Sequence, residues 1–245
     1  MIDVDVEIVE AHLEDFPELG ALRDLLSEDE RKRADAYKVP EPRNAFILAR
    51  GLLRAELAAR LDLPATALAF EVRPLGKPDL RPPGAGRTDW RFSVSHTGPH
   101  VAIALVRGLD VGIDIERADR AVDPLGIATR YFTHAENRAL GALPEADQSR
   151  AFFAGWTRKE AIVKARGTTM SESLQTLAVD IDPETAEPNF EDAGPSRGLR
   201  PCRLASFGIA PHHLIGAVAV LSRDRPRLRF SVRSQRDVRL AFVRL

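Results

Sequence analysis

"VGIDIE", Val111 to Glu116, sets three branched apolar residues against a glycine and two acids. Successive side chains in a strand point to opposite faces. Val111, Ile113 and Ile115 therefore share one face, and Gly112, Asp114 and Glu116 share the other. The first face belongs in a core. The second carries two carboxylates about 7 Å apart, close enough to share a hard cation, and Gly112, without a side chain, leaves room beside them. Alone, an Asp-x-Glu pair is usually a solvent-facing strand with two ordinary acids, so its neighbours in the chain have to decide.

Upstream, Arg91 to Ser95 and Val101 to Val106 are also strand-like. With turns at Thr97-Gly98-Pro99 and Gly108-Leu109-Asp110, the three runs predict an antiparallel meander. The opening DVDVEIV alternates like a strand. Ser27 and Glu30 have capping-box spacing, which predicts a helix to about Tyr37. A longer helix is expected from Pro42 to about Leu61, with Phe46, Ala49, Leu53 and Leu57 at helical spacing and Arg43, Arg50 and Arg54 on a different stripe. A strand near Leu68 to Arg73 leads to a Gly76-Lys77-Pro78 turn and a Pro/Gly loop. Downstream, Thr133 and Glu136 form a second capping box, and Arg150 to Arg166 reads as a helix stopped by Gly167. Strand patterns follow at 177–181, 203–209, 214–221 and 228–232. Each half thus shows a strand, helices and paired strands. This predicts an α/β (α+β) protein of two similar subdomains, 1–108 and 109–245, each with a small, mainly antiparallel sheet and a long helix.

The 245 residues, 44% hydrophobic and 29% charged, suffice for one large or two small soluble domains. No apolar run approaches the roughly 20 residues of a membrane span. The N-terminal residues show no signal-peptide pattern, and the single Cys202 excludes an intramolecular disulfide and a cysteine-rich zinc site, so a cytoplasmic location is expected. Net charge is −1, which gives no overall pull toward nucleic acid or membrane. Locally, Arg223 to Leu245 holds eight arginines against Asp224 and Asp237, either a solvated edge strand and tail or a docking surface for an acidic partner.

Two further stretches carry chemistry. In Trp156-Thr157-Arg158-Lys159-Glu160-Ala161-Ile162-Val163-Lys164, helical spacing stacks Phe152, Trp156, Glu160 and Lys164 on one stripe, either a cleft wall or a surface ion pair beside an aromatic anchor. In Phe92-Ser93-Val94-Ser95-His96-Thr97, Ser95 and His96 close a strand where hydroxyl and imidazole can meet a phosphate. No nucleophile elbow surrounds Ser95, which argues against a serine hydrolase. Arg33, Arg73, Lys77 and the Arg43/Arg50 stripe are candidate anion contacts. Together, acids suited to Mg²⁺, cations suited to phosphates and a histidine suggest phosphoryl transfer.

The order G-K-P (76–78), F-S-V-S-H (92–96), V-G-I-D-I-E (111–116) and W-x-x-K-E-x-x-x-K (156–164) resembles the Sfp-type 4′-phosphopantetheinyl transferases, over about Ser27 to Gly167. The resemblance implies a monomeric pseudo-dimer that moves phosphopantetheine from coenzyme A to a serine of an apo acyl or peptidyl carrier protein. Adenosine 3′,5′-bisphosphate is released, as in a holo-[acyl-carrier-protein] synthase. It implies Mg²⁺ on Asp114, Glu116 and Glu160, with Glu160 also accepting the serine proton, directly or through a metal-bound water, and Lys164 near the phosphates. It implies coenzyme A contacts at Arg33, Arg73, Lys77, Ser95 and His96, with Lys159 in the motif but pointing elsewhere. Ser93 stands where the family often has asparagine, which puts that position's coenzyme A contact in question.

Two other readings stay open. An inactive module binding coenzyme A or a carrier protein would lack an acid or the lysine, and Asp114, Glu116, Glu160 and Lys164 are all present. A two-metal 3′–5′ exonuclease would need an H-x₄-D arrangement, and no histidine here has aspartate five positions later. It would also show a broader basic face.

Overall fold

The computed structural model describes residues 3–72, 76–81, 88–168, 174–193, 201–209, 213–222 and 227–234. The chain begins with β1 (Asp3–His12), followed by three helices, α1 (Gly20–Asp24), α2 (Glu28–Asp35) and α3 (Pro40–Leu61). A small hairpin of β2 (Ala69–Val72) and β3 (Pro78–Arg81) precedes β4 (Trp90–Thr97), β5 (His100–Arg107) and β6 (Val111–Arg117). Helices α4 (Pro124–Tyr131), α5 (His134–Gly141) and α6 (Glu145–Arg166) come next. The chain continues with β7 (Leu177–Val179), β8 (Phe190–Asp192), β9 (Cys202–Ile209), β10 (Leu214–Leu221) and β11 (Arg227–Ser234).

Both predicted capping boxes form. Ser27 and Glu30 cap α2, and Thr133 and Glu136 cap α5, each through reciprocal side-chain and backbone hydrogen bonds. Gly167 closes α6 at φ +65°, a left-handed turn that L side chains resist. The two long helices begin earlier than their apolar spacing indicates, α3 at Pro40 and α6 at Glu145, because their first turns are polar. Helix α4 has no counterpart in the sequence reading. Asp123 caps it through Gly126 N, and Pro124 occupies its first position.

Two principal sheets result. One has the order β11-β1-β5-β4, and the other β6-β10-β9. All neighbours are antiparallel except β1 and β11, which run parallel. The predicted meander is therefore corrected at its third strand. Strand β5 already has β1 on one edge and β4 on the other, so β6 has no backbone partner there and crosses into the second sheet. The last strand makes the opposite crossing and completes the first sheet.

Helices α1, α2 and α3 cover one face of the first sheet, over a core containing Leu22, Leu48, Leu53, Ile103 and Leu105. Helix α6 covers the second sheet, with Ala161, Ile162 and Ala165 against Ala217 and Ala219. Between the sheets lies a third core, in which Val111, Ile113 and Ile115 are fully buried against Val6, Ile8, Ala104, Val218 and Val220. Burial of each such side chain contributes roughly 1.5–3 kcal/mol. The apolar face of VGIDIE thus joins the two halves. In the C-terminal arginine-rich run, Arg229 pairs with Asp5 (2.8 Å) and Arg233 with Glu56 (2.7 Å), so these two serve the first sheet and its helix.

Candidate functional site

Where β4 passes β6, side chains replace the backbone ladder. Ser93 and Ser95 accept hydrogen bonds at Oγ from the Ile113 and Ile115 amides, at 3.1 and 3.4 Å. The Ser93 hydroxyl thereby helps to join the two sheets. Strand alternation then places Ser93, Ser95 and Thr97 toward β6. Phe92 and Val94 point the other way into the α3 core, and His96 follows their parity to an exposed position at the strand's end.

The polar face of β6 meets α6. A Cβ on Gly112 would stand 2.0 Å from the Ala161 carbonyl oxygen and 2.4 Å from the Ala165 nitrogen. The expected gap beside the acids is thus filled by the helix backbone, and only glycine lets the two elements approach so closely. That approach brings Asp114, Glu160 and Lys164 together. Lys164 Nζ donates to Asp114 Oδ1 at 2.7 Å and to Ser95 Oγ at 3.2 Å, while Ser95 Oγ donates to the same Oδ1 at 2.7 Å. Ser95 has one proton and two lone pairs, so its hydroxyl is fully engaged by Asp114, Lys164 and Ile115. Asp114 Oδ2 is buried and, among the described residues, has no hydrogen-bond partner. Glu116 Oε2 accepts from Thr97 Oγ1 (2.7 Å) and from the Arg120 guanidinium (2.8 Å).

Glu160 is 7% exposed. Burial first, and then the nearby negative charge of Asp114, push its carboxyl up to about 7, with Lys164 pulling against them and Glu116 adding the smallest push. Such a group holds its proton loosely near neutrality, as a general base must.

The donor set is chemically suited to a hard divalent cation: carboxylates only, one buried oxygen without a partner among the described residues, and a Glu160 whose protonation burial and the neighbouring acids raise. Among the described residues, no three metal-ligating side chains form a ready-made cluster. Lys164 and Arg120 hold two of the acids instead. The residues fit the ion by chemistry, and among the described residues these ion pairs leave Asp114 Oδ2 for it.

The remaining predicted residues are spread more widely. Lys77 Nζ donates to the Val111 carbonyl at 2.8 Å, and its stem lies near Gly167, tying the start of β6 to the end of α6. Arg33 is exposed, with its guanidinium 5.1 Å from the Phe46 ring centre. Arg73 lies outside the described residues. Arg50 pairs with Glu30 at 3.1 Å and stacks on Phe70. Lys159 points away from the acids, fully buried against Glu136 at 2.8 Å. Sequence reasoning missed Thr97 and Arg120. The parity Ser95–Thr97 was available as a signal for the first, whereas nothing local marks Arg120.

Two family models match the chain: "4′-phosphopantetheinyl transferase superfamily" over residues 110–201 and "4′-phosphopantetheinyl transferase, N-terminal" over residues 16–107. The 4′-phosphopantetheinyl transferase HetI of Nostoc is 33% identical over 172 residues, covering 69% of this chain and 71% of the relative. The 4′-phosphopantetheinyl transferase psf-1 of Bacillus pumilus is 29% identical, covering 67% of each chain. The 4′-phosphopantetheinyl transferase Sfp of Bacillus subtilis is 27% identical, covering 64% of this chain and 67% of the relative.

Proposed function

The chain belongs to the 4′-phosphopantetheinyl transferase superfamily, and we propose that it transfers the phosphopantetheine group of coenzyme A to a serine of an apo acyl or peptidyl carrier protein. The observation that carries this reading is the meeting of Asp114, Glu160 and Lys164 at the junction of β4, β6 and α6.

In the reaction, the carrier serine Oγ attacks the phosphorus that bears the pantetheine. A new P–O bond forms as the pyrophosphate P–O bond breaks. Glu160 takes the serine proton, for which a carboxyl raised to about 7 is suited. Adenosine 3′,5′-bisphosphate leaves with the bridging electron pair, and the Lys164 ammonium neutralises or protonates it. Asp114, Glu116 and Glu160 would hold Mg²⁺, which supplies charge neutralisation at the pyrophosphate when bound. Asp114 also anchors Lys164, and Ser95 anchors both. Arg33, Arg73, Lys77 and His96 are assigned to coenzyme A, with the exposed Arg33 and His96 at its outer contacts.

We assign the chain to the holo-[acyl-carrier-protein] synthase type of activity, acting as a cytoplasmic monomer. No described helix is long and apolar enough to cross a membrane.

The test is intact mass of several apo carrier proteins incubated with the protein, coenzyme A and Mg²⁺. The expected result is a gain of one phosphopantetheine on at least one carrier. No gain on any fatty-acid, polyketide or nonribosomal-peptide carrier would overturn the reading. Asp114→Ala should reduce the gain at least about 100-fold, the scale on which metal ligands and their supports act. Chelation with EDTA should abolish it in the unmodified protein.

A further inference from the structure

Asp114 and Glu116 share a pattern that the transfer chemistry does not itself require. On each acid, every hydrogen bond lands on one oxygen. Asp114 Oδ1 receives Ser95 and Lys164, and Oδ2 is buried without a partner among the described residues. Glu116 Oε2 receives Thr97 and Arg120, and among the described residues no hydrogen bond reaches Oε1. In both cases one donor is a hydroxyl of β4 and the other a cation. The hydroxyls are two residues apart on one strand, as the acids are on the other, so the two contacts repeat along the junction.

The two donors to Glu116 differ in kind. Arg120 is about half exposed, at 49% of its side chain, so its pair with Glu116 is screened and exchangeable. Thr97 is 5% exposed and sits on a strand whose register is set by β5, so its backbone is fixed beside β6 and its β-branched side chain has few rotamers. A glutamate has three rotatable side-chain bonds, and a fixed buried donor is what selects one carboxylate orientation among them.

We propose that Thr97 is a positioning residue for Glu116, holding Oε2 so that Oε1 is presented to a divalent cation shared with Asp114 and Glu160. The first half of the chain thereby orients a metal ligand carried by the second half. The inference rests on the transferase reading of the acids but concerns cation binding alone, so the two can fail separately.

The probe is Mn²⁺, which takes the same oxygen ligands as Mg²⁺ and whose free form is counted by its paramagnetic resonance signal. It is titrated into the full chain without coenzyme A. Thr97→Val keeps the shape and removes the hydroxyl, and should weaken Mn²⁺ binding by about tenfold or more, the scale of lost outer-shell support. Thr97→Ser restores the donor and should return the affinity to within about twofold of the unmodified protein. Arg120→Ala should leave the affinity equal or raise it. Thr97→Ala, measured alongside, gives the same readout should the valine disturb folding. An unchanged Mn²⁺ affinity in a folded Thr97→Val or Thr97→Ala variant overturns the proposal while leaving the carrier-modification test untouched. Failure of the unmodified chain to bind Mn²⁺ overturns it together with the metal assignment. Loss of Mn²⁺ binding in Thr97→Val, with rescue by serine, supports the proposal even if no carrier is modified.

Discussion

Helices α3 and α6 are each 22 residues long, each covers one sheet, and each buries charged side chains. Their treatment of that charge differs. In α3, Arg54 is 1% exposed and bonds Glu30 and the carbonyls of Ala65 and Leu68, while Glu56 meets Arg60 and Arg233. Helix α6 treats its first two buried cations in the same way. Arg158 bonds the carbonyls of Asp180, Asp182 and Thr185, and Lys159 bonds Glu136 and the Leu174 carbonyl. The next residue breaks the pattern. Glu160 faces two other carboxylates, and the one nearby lysine is hydrogen-bonded to Asp114 instead. Buried charge by itself is structural in this molecule; buried charge left out of balance marks the site.

The largest test of that contrast is Glu160→Gln, which keeps the shape and removes the titrating group. Transfer to a carrier should fall about 10²–10⁴-fold, the range of general-base losses, measured by rate of carrier mass gain. In the unmodified protein the Mg²⁺ concentration giving half-maximal rate should fall as pH rises through about 7, because Glu160 must lose its proton to join the ion, and Glu160→Gln should lose that dependence. Stability depends on the same proton. Glu160 is raised from 4.5 to about 7 on folding, so between those values the folded chain keeps a proton the unfolded chain has lost. Metal-free stability should therefore decline as pH climbs from about 4.5 to about 7, and denaturant titration of Glu160→Gln should show a flatter profile. A steeper profile in the variant would contradict the electrostatic account.

Lys159→Ala is the complementary change, one position away. It strands Glu136 in the interior and should cost about 3–5 kcal/mol in denaturant unfolding. Activity per folded molecule should survive, because Lys159 does not reach the acids. If activity fell while stability held, the division of labour along α6 would be wrong.

Gly112→Ala should cost about 1–3 kcal/mol through overpacking against the Ala161 carbonyl and Ala165 nitrogen. It should also lower activity by displacing α6 from Asp114. The smallest effect is expected at the paired C-terminal arginines. Arg229→Ala should leave the denaturation midpoint nearly unchanged, because Arg229 and its partners Asp3 and Asp5 are solvent-exposed. A larger KM for the carrier in that variant, with coenzyme A unaffected, would give the edge strand a docking role.

Local rules made much of this legible in advance. The capping boxes, the Gly167 stop, the alternation in VGIDIE and the Glu160–Lys164 spacing depend on residues a few positions apart, where steric and hydrogen-bonding preferences act directly. Helix α4 escaped because a short helix opened by Asp123-Pro124 offers too little periodicity to distinguish it from a turn. The exit of β6 from the expected meander escaped because β5's second edge is filled by β1, about a hundred residues earlier in the chain.

By itself, the sequence determined that Asp114 and Glu116 share one strand face, that Glu160 and Lys164 share one helix stripe, and that the apolar side of VGIDIE is core. Each follows from a backbone period. The tertiary structure decided the rest. It closed β6 onto α6 across Gly112, gave Asp114 to Lys164 and Ser95, and raised Glu160 by burying it beside other acids. Those outcomes depend on burial and on charges brought together from distant parts of the chain, and neither has a local signature.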